Sequence, residues 1–376
     1  MEYIFWISII LIFHAYFGYP LSLRLISFFR ENEVHRAPIE PTVTLIITAC
    51  NEERRIRDKM ENTVALDYPK GKLQVLIASD GSTDATNEIV REYASSGIKL
   101  LAFPERRGKE NAQKDAVQHA TGDIIVFSDV ATRLDPQALK EIVANFADPS
   151  VGCVSSVDRV IGQDGNPCGE GAYVRYEMWL RKLESRVNSL VGLSGSFFAA
   201  RQEVCRDFSG EMQSDFRTVL NSMRLGLHGI SDPESIGYYQ DISDSKKEFD
   251  RKVRTVLRGL TVFFRNLEFL NIFRFGLFSY QYFCHKLLRW LVPLFLCVAL
   301  TSHVLLSLAS SAYLLLLPLH LAFYAIAIGG WLAKSPPSNA VMKIPMYFFA
   351  VNLAIVVAWW RFARGKRMVM WAPSER

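Results

Sequence analysis

The chain has 376 residues, half of them hydrophobic and 22% charged, with a formal net charge of +5. A balance this mild argues against a nucleic-acid partner and suits a protein lying on an anionic membrane surface. The six cysteines show neither CxxC nor CxH spacing, so no zinc site is readable, and those of the charged region are expected as reduced thiols.

The apolar residues gather at the two ends. Tyr3–Leu23, Trp290–Ala333 and Ile344–Trp360 contain no Asp, Glu, Lys or Arg. A membrane span needs about 20 apolar residues. The first run therefore predicts a transmembrane anchor within residues 1–29, and the second predicts two helices with a turn near Ser307–Ser311. The third reaches only about 26 Å as a helix, the lower limit for spanning. Acidic Glu2 and the poor cleavage sequence Gly18-Tyr19-Pro20 disfavour a cleaved signal peptide. Arg24 and Arg30 follow the first run and no base precedes it. The positive-inside rule then places the N-terminus outside and the charged region in the cytosol of a multi-pass inner-membrane protein. Three full crossings within 290–361 would leave the basic cluster Arg361, Arg364, Lys366 and Arg367 outside, against the same rule. The expectation is a cytosolic tail over 362–376, with the Ile344–Trp360 stretch re-entrant or interfacial.

Residues 30–41 read as a polar linker, and strand and helix patterns alternate after it. Strands are predicted at Val43–Thr48, Leu73–Ala78, Ile98–Ala102, Ile124–Phe127 and Val151–Val157. Helices are predicted around Arg54–Ala65, Ala85–Ser95, Glu110–Ala120 and from Pro136, with Asp135 as its N-cap, to about Phe146. This order predicts an α/β catalytic domain over 42–245, with a parallel, doubly wound sheet and a ligand at the strand C-termini. Further helices are predicted at Ala172–Ser189 and Ser214–Leu227, with a short strand at Ser196–Ala200 between them. Across 246–289, Arg251, Lys252, Arg254, Arg258, Arg265 and Arg274 alternate with Phe and Leu, which reads as amphipathic helices in the membrane interface.

Four polar stretches fall at ends of these elements: Ala49-Cys50-Asn51-Glu52-Glu53, Ser79-Asp80-Gly81-Ser82-Thr83-Asp84, Gly108-Lys109-Glu110-Asn111 and Ser128-Asp129. Each alone reads more readily as a helix start, a turn or an exposed loop. Together they gather on one rim of the sheet, where a nucleotide site needs acceptors for base and ribose and positive charge for phosphates.

In this order and spacing, and with the later Ser214-Asp215-Phe216, they resemble the membrane-attached family 2 glycosyltransferases, the superfamily of cellulose and poly-N-acetylglucosamine synthases. The resemblance covers about residues 40–265 and extends into the C-terminal helices. It implies a GT-A fold, a Rossmann-like nucleotide-sugar domain, and a UDP-sugar donor. Ala49, Asn51 and Glu52 would border the uridine, Asp80 would accept from the uracil edge, and Lys109 would lie near the nucleotide. Asp129 holds the first place of the family's DxD motif, which binds the diphosphate through Mg²⁺ or Mn²⁺. Asp215 holds the place of the base that deprotonates the acceptor hydroxyl, and Gly192–Ser196 resembles the acceptor loop.

The sequence departs from that pattern in three places. Ala131 stands where DxD has its second acid, so phosphates, waters or a residue elsewhere must complete a metal shell. Ser214 replaces the first acid of the ED or DD dyad. Of the QxxRW motif of processive synthases only Arg254 remains, a guanidinium suited to holding the leaving diphosphate. The function implied is inverting sugar transfer at the cytosolic membrane face to a lipid-linked or polysaccharide acceptor, beside other polysaccharide-assembly proteins. A processive synthase that extrudes its product is the alternative with the same chemistry. From other classes, an inactive scaffold fits Ala131 and Ser214, and a nucleotidyltransferase would need a glycine-rich basic loop that the Ala49–Glu53 stretch is not.

Overall fold

The computed structural model describes residues 1–161, 172–240, 245–332 and 339–368. They divide into two compact units, one of Met1–Ser22 with the described residues of 244–368, the other of those in 23–243. The chain opens with helix α1 (Glu2–Ile26). A π-helical turn at His14–Gly18 widens it just ahead of Pro20, a local adjustment to the missing proline N–H.

The second unit is built on an eight-stranded sheet, in the order β3-β2-β1-β4-β7-β6-β8-β5. Its strands are β1 (Val43–Ala49), β2 (Leu73–Asp80), β3 (Ile98–Phe103), β4 (Ile124–Asp129), β5 (Arg133–Leu134), β6 (Val151–Ile161), β7 (Phe197–Arg201) and β8 (His228–Gln240). The first four in that order are parallel, as the alternation predicts. Beyond β4 the sheet is mixed, because β7 inserts antiparallel between β4 and β6, while β6 and β8 pair in parallel. Chain order alone cannot show that a strand arriving late, after the Gly192–Ser196 loop, takes the place next to β4.

Helices α2 (Ile56–Val64), α3 (Thr86–Glu92), α4 (Lys109–Val117), α5 (Ala138–Ala144), α6 (Ala172–Val187) and α7 (Ser214–Arg224) accompany the sheet. Alternate residues of β1 and β4 go to different cores. Val43, Leu45, Ile47 and Val126 pack with Ile142 and Val143 of α5. Phe127 instead stacks on Phe198 at 4.7 Å and on Phe208 at 5.3 Å. Burial on both faces is why these strands read as continuous apolar runs. Asp135 does not cap α5 as expected. It closes the turn before it, accepting from the Gln137 N–H at 3.0 Å, and the helix starts at Ala138.

The far edge of the sheet returns towards its centre. Flat, the four steps from β4 to β5 would span about 19 Å, yet the chain from Asp129 to Arg133 reaches at most about 14 Å. The sheet therefore curls, and pairing of β5 with β8 brings that edge back beside the C-terminal end of β4.

The first unit holds α1 as far as Ser22, α8 (Ser245–Phe264), α9 (Leu277–Ser307), α10 (Ser311–Leu332) and α11 (Ala340–Ala363). Among the described residues, four helices are long and apolar enough to cross a membrane: Glu2–Ile26, Leu277–Ser307, Ser311–Leu332 and Met342–Ala363. Two differ from the sequence reading. Helix α9 starts inside the stretch expected to be interfacial, because its basic Arg289 is 9% exposed and its guanidinium meets the Ala15 carbonyl at 3.5 Å. Helix α11 runs unbroken for 24 residues, which excludes the re-entrant form of the re-entrant or interfacial segment expected there, and Trp359 Nε1 donates to the Trp290 carbonyl at 2.9 Å. The tail after Met368 lies outside the described residues, as does Cys168, while Cys50, Cys153, Cys205, Cys284 and Cys297 are free thiols.

Candidate active site

The parallel strands β2, β1 and β4 end side by side, with Ala49 opposite Ser79 and Thr48 opposite Asp129. Their polar ends are wired together. Asn51 takes the left-handed conformation (φ 55°), which asparagine tolerates better than most residues. There its Oδ1 accepts from the Thr83 N–H at 2.8 Å and its own N–H reaches Ser82 Oγ at 3.2 Å. Asn51 is thus the clasp between the β1 and β2 loops. Glu52 is buried, donates its N–H to Thr86 Oγ1 at 2.8 Å, and pairs with Arg55 at 2.6 Å. Burial lifts its carboxyl above the ordinary range against the pull of Arg55, and the charge of Asp129 adds to the lift.

Asp80 is 3% exposed, and its two oxygens accept the backbone N–H groups of Arg107 and Gly108 at 2.7 and 2.8 Å. It fixes the loop leading into α4, and Gly81 (φ 62°) permits the approach, since a Cβ there would sit 2.5 Å from the Arg106 nitrogen. That loop delivers Lys109, whose ammonium lies 2.5 Å from Asp129 Oδ1 and 3.0 Å from the Gly195 carbonyl. Gly195 in turn faces the N-terminus of α7. A Cβ on it would lie 2.9 Å from Asp215 Oδ2, the oxygen that accepts from Gln213 Nε2 at 3.1 Å. Asp129, Lys109, Gly195 and Asp215, drawn from four separate elements, therefore line one cleft. Arg254 lies on α8, in the other unit.

Residues 44–208 match the Glycosyl transferase family 2 model. They form a family 2 glycosyltransferase domain. The chain is 30% identical over 120 residues to the poly-β-1,6-N-acetyl-D-glucosamine synthase of Staphylococcus aureus (strain COL), covering 31% of this chain and 29% of that one. It is 24% identical over 263 residues to the probable glycosyltransferase YdaM of Bacillus subtilis, covering 65% and 63%. Both matches stop short of two thirds of the relatives' lengths. Among solved structures, the mannosyltransferase PcManGT from Pyrobaculum calidifontis, in complex with GDP-Man and Mn²⁺, superposes with a TM-score of 0.73 at 24% identity, over 97% of this chain and 100% of that one. The fold of the glycosyltransferase domain is therefore GT-A, with long apolar helices flanking it at both ends of the chain.

Two groups in this domain escape a reading by motif. Lys59 of α2 is 2% exposed, and its ammonium reaches Ser128 Oγ at 2.8 Å and the Thr132 carbonyl at 2.6 Å. Burial lowers its pKa to about 7, with the charge of Asp129 working the other way. Its only sequence signal is a lysine on the apolar side of an amphipathic helix, one turn after buried Ile56 and next to buried Met60. Asp158 lies on β6, beyond the predicted end of that strand. Its carboxylate accepts from the hydroxyls of Ser194 and Ser196, both at 2.5 Å, and so holds the Gly192–Ser196 loop from below. Enclosure raises its pKa, against those two hydrogen bonds and the charge of Arg181.

The donor set bears on a metal. Among the described residues no cluster of three or more His, Cys, Asp or Glu side chains could hold an ion by itself. What fits is a cation on the single carboxylate of Asp129, completed by phosphate oxygens and water, the way Mg²⁺ usually sits in nucleotide sites.

Proposed function

We propose that the chain is an inverting glycosyltransferase that moves a sugar from a UDP-sugar to a lipid-linked or polysaccharide acceptor at the cytosolic membrane face, in cell-surface glycan synthesis. The observation that carries the reading is the cleft itself: Asp129 and Lys109 on one side, Gly195 at the centre and Asp215 on the other. In a single displacement the acceptor oxygen bonds to the anomeric carbon as its proton passes to Asp215 Oδ2. The bond from that carbon to the phosphate oxygen breaks, and UDP leaves with the electron pair. Asp215 stands in the first turn of α7, with Oδ2 on the side of Gly195. Glu52, Asn51 and Ala49 form the wall proposed for the uridine, with Asp80 shaping its floor through the 107–108 loop. Lys109 offsets the charge of Asp129 where the diphosphate would rest. A divalent cation, Mg²⁺ or Mn²⁺, held by Asp129 would supply further charge neutralisation for the leaving group.

The four long apolar helices support placement in a membrane, and Arg24 and Arg30 support a cytosolic domain. Loss of all but Arg254 from the processive motif favours limited addition over extrusion. The experiment is Asp129→Asn with and without a chelator, reading UDP affinity in Mn²⁺ as well as turnover. The reading requires turnover to disappear in the variant and in the chelator, and Mn²⁺ to stop strengthening UDP binding in the variant. Full activity in the chelator sinks the cation-assisted route.

A further inference from the structure

A fully enclosed lysine that no carboxylate of the described residues meets is costly, because its ammonium loses water and gains only partial compensation. Lys59 is in that position, and what it holds is the turn that carries Asp129. Ser128 precedes the aspartate and Thr132 ends the turn, which the Thr132 N–H closes onto the Asp129 carbonyl at 3.2 Å. The ammonium bridges both ends from beneath. One helical turn later Asn62 extends the hold, donating to the Leu134 carbonyl at 2.8 Å and accepting the Leu134 N–H at 2.9 Å. Val130 and Leu134 pack into the core, while on the other side Val130, Ala131 and Thr132 border a cavity of about 620 Å³ that Lys59, Asn62 and Tyr238 also line.

Building on the glycosyltransferase reading, we propose that Lys59 is the positioning residue of the nucleotide-diphosphate site: it ties Ser128 to Thr132 and sets its ammonium group behind Asp129. Ala131 makes this arrangement effective. A second acid at that place would oppose the charges of Lys59 and Lys109, whereas with alanine the turn carries one carboxylate between two ammonium groups. Charges in such an enclosed setting act on one another far more strongly than in water. A nucleoside diphosphate is therefore held in part by the protein's own cations, and UDP binding survives removal of divalent metal.

The test measures UDP affinity by calorimetry on the full chain in detergent, with Mn²⁺ and with a chelator, for wild type, Lys59→Met and Lys59→Gln. Thermal midpoints are read without ligand. Wild type is expected to bind UDP in the chelator, with Lys59→Met weaker by about tenfold or more in both conditions and its thermal midpoint no lower. Lys59→Gln, which retains a hydrogen-bond donor without the charge, is expected between the two, and it carries the test by the same criterion if the Met variant does not fold. Wild-type affinity in a folded Lys59 variant overturns the inference and leaves the glycosyltransferase reading standing. Failure of wild type to bind any nucleoside diphosphate, even with Mn²⁺, instead breaks the reading on which it rests.

Discussion

The most incisive perturbation of the cleft is a single methyl group, Gly195→Ala. The added Cβ would stand 2.9 Å from Asp215 Oδ2 and 3.5 Å from its Cγ. An ordinary carbon–oxygen contact is about 3.4 Å, so the carboxylate must withdraw by about half an ångström or swing further towards Gln213. Its Oδ1 accepts from the Phe216 N–H at 2.8 Å, so the carboxylate pivots about that bond and the fold is left undisturbed. The Gly195 carbonyl is unchanged, so its bond from Lys109 at 3.0 Å persists. The perturbation is thus confined to the base. A misplacement of about 1 Å can cost about 10²-fold, and a general base contributes about 10² to 10⁴. Gly195→Ala is expected to lower single-turnover sugar transfer by about 10- to 100-fold, leaving UDP affinity and thermal midpoint near wild type. An unchanged transfer rate would show that Asp215 does not need its present position, and the assignment of the base would fail. A parallel fall in UDP affinity would mean that the whole 192–196 loop had moved.

Asp215→Asn should lower turnover by about 10² or more with UDP affinity nearly intact, and UDP binding that fell in step with turnover would reassign Asp215 to the donor site. Lys59 also gives stability a pH dependence. Its folded value, about 7, lies below the ordinary 10.5, so the unfolded chain holds the extra proton between those limits and stability rises with pH across that window. The burial penalty, about 5 kcal/mol at most, is present in full below pH 7 and fades towards pH 10.5. The thermal midpoint of wild type in detergent should therefore gain on that of Lys59→Met from pH 7 to 9.5, and parallel profiles would contradict it.

How much of this could be read from sequence depended on whether a residue acts through its neighbours in the chain or across the fold. The strands β1 to β4 were legible because each is an apolar run bounded by turn chemistry. Asn51, Asp80, Lys109 and Asp129 stood out because a parallel sheet brings its strand ends to one rim. The insertion of β7 between β4 and β6 was not legible, since pairing across some 70 residues leaves no local periodicity. Lys59 was hidden for a related reason. A lysine in a helix reads as surface, and only the curl that sets the 129–134 turn against α2 turns it inward. Asp158 escaped because its partners, Ser194 and Ser196, lie far along the chain in the 192–196 loop. Helix α11 was underestimated because charge-free length was counted, whereas the helix continues through Lys343 and Arg361 at its ends.

The central claim is that this cleft transfers sugar from a nucleotide to a membrane-held acceptor. Its most direct test presents membranes containing the chain with labelled UDP-glucose, UDP-N-acetylglucosamine, UDP-galactose and GDP-mannose, each with Mn²⁺ and with a chelator, and Asp215→Asn as the control. The account predicts that one UDP-sugar labels the lipid or glycan fraction in Mn²⁺, with little label in the chelator or the variant. Label from GDP-mannose alone would contradict the uridine assignment, and equal label from wild type and Asp215→Asn would contradict the mechanism.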